Sequence, residues 1–171
     1  MKPAAHEYPA YFDQYISQVD EGDVIGILQT QRQDVVERLS TISNEQSLQR
    51  YAENKWSVKE LVGHLTDAER IFGTRALCIA RGETQPLPGF DEDNYVEQAR
   101  FDERPFDSIL SEWVSVRDSN IKLFETLDYD AVSRFGVSNG RPITPRAIMW
   151  VVAGHTVHHL QMLRDRYQIA I

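Results

Sequence analysis

The strongest constraint on how this chain can fold is the period of its apolar residues, which is clearest from Thr144 to Tyr167. Thr144 can cap a helix there, Pro145 suits the first turn, and Ile143 and Ile148 have the spacing of a hydrophobic staple. At about 100° per residue, Ile148, Val152, His155, His159, Met162 and Leu163 fall on one face. Two imidazoles therefore sit one turn apart inside an apolar stripe. Each alone reads as a satisfied core residue. As an i, i+4 pair, with a third histidine available elsewhere, they read as a metal site.

Three further segments show the same period. Asp23 can cap a helix whose apolar positions Val24, Ile27, Leu28, Val35, Leu39 and Ile42 step mostly by three and four, ending near Ser43. Ser57 and Glu60 have the spacing of a capping box, with Trp56 and Leu61 placed as a staple. That helix should run from Ser57 to about Ala80, stopped by Gly82, with Leu61, Leu65, Ala68, Phe72 and Ala76 as its core stripe. A third is expected from Asp107 to Leu127, its apolar face interrupted by Asn120. The aromatic segment Pro9–Val19 is short enough to be marginal as a helix by itself. Residues 83–105 and 128–141 read as loops, the first long enough to be either functional or a crossover across the bundle end. With no convincing strand, the expected fold is all-α: a four-helix bundle with a long crossover loop, residues 1–171 forming a single domain.

Composition narrows the function. Of 171 residues, 42% are hydrophobic and 26% charged, which is ordinary for a soluble globular protein. A net charge of −8, with dispersed basic residues, argues against a nucleic-acid partner. No stretch approaches the roughly 20 apolar residues of a membrane span, and the polar start does not resemble a signal peptide. The single Cys78 excludes an internal disulfide and fits a cytoplasmic location.

Neutral imidazole is a common ligand for divalent transition metals. His155 and His159 can reach one ion, and His64, about 40° from Ala68 on the wheel, can supply a third ligand from a neighbouring helix. Three protein ligands leave a position open for water or substrate, which is the catalytic pattern. His158 lies about 80° off the stripe and is left as a flanking residue. Cys78, roughly 21 Å along the helix from His64, cannot join the same ion and reads as a small buried thiol. His6 reads as a surface residue. Asp67 and Glu69 could orient ligands or act as a base, or could lie on a solvated helix face. Arg117 has the same ambiguity, with a salt bridge as the plainer reading. No nucleophilic triad, phosphate loop or dinucleotide fingerprint is present.

Three stretches resemble the DinB/YfiT-like superfamily. They are Tyr51-Ala-Glu-Asn-Lys-Trp56-Ser-Val-Lys-Glu-Leu-Val-Gly-His64, Leu87-Pro-Gly-Phe-Asp-Glu-Asp-Asn-Tyr95, and Gly154-His-Thr-Val-His-His159-Leu-Gln. The resemblance implies a four-helix bundle with a crossover, often homodimeric, binding zinc or nickel through three histidines, which by motif are His64, His155 and His159. It implies a metal-dependent hydrolase, or a transferase or isomerase using a low-molecular-weight thiol such as bacillithiol or mycothiol. A stress-associated metal-binding protein without turnover is the alternative.

Overall fold

The long helices begin where the sequence offers partners for their first N–H groups. A computed structural model describes residues 1–169. In chain order its helices are α1 (Asp13–Ile16), α2 (Val24–Leu39), α3 (Val58–Ala80), α4 (Glu92–Ala99), α5 (Phe106–Glu125), α6 (Tyr129–Ser133) and α7 (Pro145–Asp165). The Asp23 carboxylate accepts from the Ile25 and Gly26 amides. Ser57 and Glu60 form the expected reciprocal box, with the Ser57 amide 2.7 Å from the Glu60 carboxylate. Thr144 Oγ1 accepts from Ala147 at 3.1 Å, and Pro145 opens the last helix. Pro105 gives α5 no side-chain cap; the Phe106 amide donates instead to Asn44 Oδ1 at 3.1 Å.

Helix α3 packs on α5 and α7, and so does α2. The pairs α2/α3 and α5/α7 therefore stand diagonally, and the first and last of the three connections between long helices cross the bundle. The segment between α3 and α5 joins neighbours. Two apolar clusters fill the interior. One gathers Leu28, Ala68, Phe72, Ile121, Phe124 and residues 147–153. The other gathers Val35, Leu39, Leu61, Leu65, Ile109, Trp113 and Leu163. Between them, every long helix contributes a polar or titratable residue: Gln31, His64 with Glu69, Arg117, and His155 to His159.

Several boundaries and loops differ from the sequence expectation. Helix α2 ends at Leu39, although Ile42 is still buried in the following turn. The 83–105 segment is not a bare loop: Asp91 caps the eight-residue α4 by accepting from Asn94 at 3.1 Å, and a 3-10 turn follows at Phe101–Glu103. So short a helix shows too few turns to register a period. Buried Lys59 straps that turn to α3 through the Asp102 and Arg104 carbonyls, at 3.3 and 2.7 Å. The 128–141 segment holds α6 and the start of an antiparallel hairpin, β1 (Gly136–Ser138) with β2 (Arg141–Ile143). Its turn is Asn139-Gly140, both at positive φ, as the tight primed turns of two-residue hairpins require. Cys78 is partly exposed and not a buried thiol.

Gly154 sits in mid-helix, where glycine is intrinsically unfavourable by about 1 kcal/mol. A methyl there would overlap the backbone carbonyl of Tyr15, so the glycine allows α1 to lie against α7. Gly154→Ala regains the propensity but overpacks against backbone, which costs about 1–3 kcal/mol. A net lowering of the urea midpoint is the expected outcome.

Candidate metal centre

His64 comes from α3 and His155 and His159 from α7, where the two helices pack together. Their rings converge on one another. His64 Nε2 lies 3.2 Å from His155 Nε2, which lies 3.0 Å from His159 Nε2. One ligand atom from each falls within 4.8 Å of the others, and all three residues are buried. Hydrogen bonding does not account for this convergence. His155 Nε2 has one proton to give or one lone pair to offer, and it faces two partners. A central cation would satisfy three lone pairs at once. Ligand bonds of about 2.0–2.1 Å place neighbouring donor atoms about 2.8–3.4 Å apart around an octahedral or tetrahedral ion, a range that holds both the 3.2 and the 3.0 Å spacings.

Electrostatics supply the correct protonation state. Burial pushes His64 down to about 4. Burial, then the neighbouring His64, His158 and Arg117, hold His155 well below the usual imidazole range. Burial, then His155, His64 and His158, do the same for His159. All three rings are therefore neutral at pH 7, with lone pairs available.

Ring packing fixes their orientation. Trp56 lies 4.7 Å from His64 between centroids, and Tyr15 and Phe72 lie 5.2 and 6.2 Å from His155. No carboxylate accepts from these rings among the described residues, and His159 Nδ1 is buried without a partner. His158 packs on Tyr15 at 5.4 Å but stays outside the cluster, as does Cys78. His6 is exposed and stacks on Phe135 at 6.1 Å.

Glu69 and Arg117 do not face solvent. The Arg117 guanidinium donates from Nε and Nη2 to the Glu69 carboxylate at 2.5 and 3.0 Å, and to Thr156 Oγ1 at 2.8 Å. Its Nη1 donates to the Leu28 carbonyl and to Gln31 Oε1, both at 3.3 Å. The plainer reading of Arg117 is correct, and the solvated-face reading of Glu69 is not. Asp67 pairs with Arg70 at 3.4 Å and reaches no ring of the cluster.

The three histidines open on a cavity of about 850 Å³. Sequence reasoning missed most of its wall. Tyr8, Tyr11, Phe12 and Tyr15 come from the N-terminal aromatic segment, Phe90 and Glu92 from the α3–α5 connection, and Asn139 and Arg141 from the hairpin. Phe72 and Arg75 come from α3. Only the density of N-terminal aromatics was a visible signal, and it reads equally as packing.

The DinB superfamily sequence model matches residues 27–163. The chain belongs to this superfamily. No curated protein matches it in sequence. Among solved structures it is similar to YfiT from Bacillus subtilis, described as a probable metal-dependent hydrolase with an unusual four-helix bundle topology. The two share a TM-score of 0.75 and 18% identity, over 99% of this chain and 95% of that one. It is also similar to a mycothiol-dependent maleylpyruvate isomerase, with a TM-score of 0.69 and 14% identity, over 90% of this chain and 67% of that one. At these identities the likeness establishes the fold.

Two outcomes follow from the geometry. Glu69→Gln leaves Arg117 buried without its counter-charge and should destabilise the protein by about 3–5 kcal/mol, whereas Glu69→Leu with Arg117→Met should be closer to neutral. Denaturant titrations of the single and double variants measure this. In chelator-treated protein, the unfolded chain takes up protons on these histidines below their ordinary pKa of 6.5 while the folded chain resists. Stability therefore falls as pH drops from about 6.5 towards 4, by up to about 1.4 kcal/mol per pH unit for each histidine. Melting temperatures across that range check the sign.

Proposed function

We propose that this superfamily member is a metal-dependent enzyme acting on small molecules, with one divalent ion, zinc or nickel, held by His64, His155 and His159. The observation that carries this reading is the convergence of three buried, neutral Nε2 atoms on the wall of a cavity of about 850 Å³. That volume suits a small-molecule site, and three protein ligands facing a cavity are the arrangement of a catalytic rather than a structural centre. When bound, such an ion is a Lewis acid that makes a water or thiol reaching it far more acidic. The chain's own residues do the rest. Trp56, Tyr15 and Phe72 hold the ligand rings and limit the entry of bulk water.

Hydrolysis, with water as the acidified group, is the first form of the reaction, supported by the likeness to YfiT over nearly the whole length of both chains. Thiol S-transfer is the second. It is supported by the likeness to the mycothiol-dependent isomerase and by a cavity with room for both a thiol and a second reactant.

Metal analysis of untagged protein tests the shared premise. About one ion per chain is expected, falling towards none in His155→Ala and His159→Ala while the helical signal is retained. Absence of a stoichiometric ion from wild-type protein after metal loading would overturn the reading. Thermal shifts with a panel of biological thiols then separate the forms. Stabilisation that needs both metal and His155 favours transfer, and no response to any thiol favours hydrolysis. A metal-loaded protein that turns over neither esters, amides nor thiol adducts would point to a stress-associated binder.

A further inference from the structure

Arg75 lies on α3, eleven residues beyond His64. Eleven steps bring the helix round to within about 20° of the same face, at a separation of about 16 Å along the axis. Both residues line the one cavity, with Phe72 between the Arg75 guanidinium and the His155 ring, 5.7 Å from the first and 6.2 Å from the second. Arg75 is only 8% exposed, yet no carboxylate lies within ion-pairing distance among the described residues. Its one hydrogen bond runs from Nη2 to the Pro88 carbonyl, at 2.7 Å. Phe72 and Phe90 lie beside the guanidinium, their ring centroids 5.7 and 5.8 Å from Cζ. Nε and Nη1 are left without protein acceptors.

The contrast with Arg117 is informative. That guanidinium is fully buried and has all five donors engaged, including a bidentate carboxylate. The free N–H groups of Arg75 are not sealed in the core but open on the cavity, where an anion can complete them. Arg75 is also held in place. Leu87 hydrogen-bonds to the hairpin on both sides, its amide to the Val137 carbonyl at 2.8 Å and its carbonyl from the Asn139 amide at 3.0 Å. This pins Pro88, and through it the guanidinium.

We propose that Arg75 is an anion anchor for the substrate, binding a terminal carboxylate at the end of the cavity remote from His64, His155 and His159. The proposal rests on the metal-dependent reading for the reacting end. The expected substrate class is an elongated carboxylate whose apolar or aromatic body lies along Phe72 and Phe90, with its reactive group towards the histidines. A planar fork with one edge still free suits a carboxylate. The nearby Glu92 on the cavity wall and the chain's net charge of −8 favour a singly charged group over a dianion.

The test compares 6-phenylhexanoate with its neutral analogue 6-phenylhexanamide by calorimetric titration. Zinc-loaded and chelator-treated protein are used, and the metal content of each sample is measured. The acid should bind at least tenfold more tightly than the amide in both forms. Arg75→Gln should abolish that preference without changing zinc uptake, and Arg75→Lys, which keeps the charge but not the fork, should keep part of it. Should the Gln variant fail to fold, a threefold or greater loss of acid preference in Arg75→Lys, with amide affinity unchanged, carries the test. Acid binding no tighter than amide, including no binding of either, overturns the proposal. So does a preference that survives in Arg75→Gln. If that surviving preference disappears with the zinc, the carboxylate sits at the histidines. Failed zinc uptake with an intact, Arg75-dependent preference would sink the metal reading and leave the anchor standing.

Discussion

The Arg117 guanidinium ties the four long helices together. Its donors reach Leu28 and Gln31 on α2, Glu69 on α3 and Thr156 on α7, while its own backbone belongs to α5. Gln31 extends the link by donating to the Ala153 carbonyl at 3.0 Å, and Asn120 donates to the Glu69 carbonyl at 2.9 Å. The guanidinium also lies 4.8 Å from the Trp113 ring centroid. A buried ion pair adds little net stability over apolar packing, but its geometry admits few alternatives. Here it fixes the register of α3 against α7, because Glu69 and Thr156 both answer to the same fork.

That register is what the histidine cluster needs. Thr156 follows His155 directly, and Glu69 lies five residues after His64. The polar layer sits between two apolar clusters, so each helix is clamped above and below it. The imidazoles are held by aromatic packing and, among the described residues, donate no hydrogen bond to an outer shell of carboxylates. The same low-polarity surroundings that orient them also keep them neutral. Arg117 contributes twice, as a tie between helices and as a positive charge that disfavours a proton on His155.

The cavity beside them is built from pieces that are not part of the four long helices. The N-terminal aromatics are positioned by Glu7, whose carboxylate accepts from Thr144 Oγ1 at 2.8 Å and pairs with Arg146 at 3.2 Å. The first residues of the chain are thereby fastened to the start of α7. The α3–α5 connection is fastened to the hairpin through Leu87 and to α3 through Lys59. Crossed connectivity brings these ends together over the α3–α7 seam, while the helices themselves stay regular.

The sequence alone determined the helices and the ligand candidates. Apolar residues at three and four spacing require a helix to bury them, and Asp23, Ser57 and Thr144 can cap one wherever they stand. An i, i+4 histidine pair lies on one helical face in any fold. Such features depend only on neighbours within a turn or two of the chain. Tertiary structure decided the remainder: which helices stand diagonally, that Glu69 faces Arg117 and not water, that the hairpin and α4 punctuate the loops, and that Arg75 ends without a counter-charge beside the cavity. The hairpin and α4 are local but too short to register a period, and the others depend on a partner far away in sequence. Glutamate or arginine on a helix is equally at home in solvent or in a buried pair, and local periodicity has no means of choosing between them.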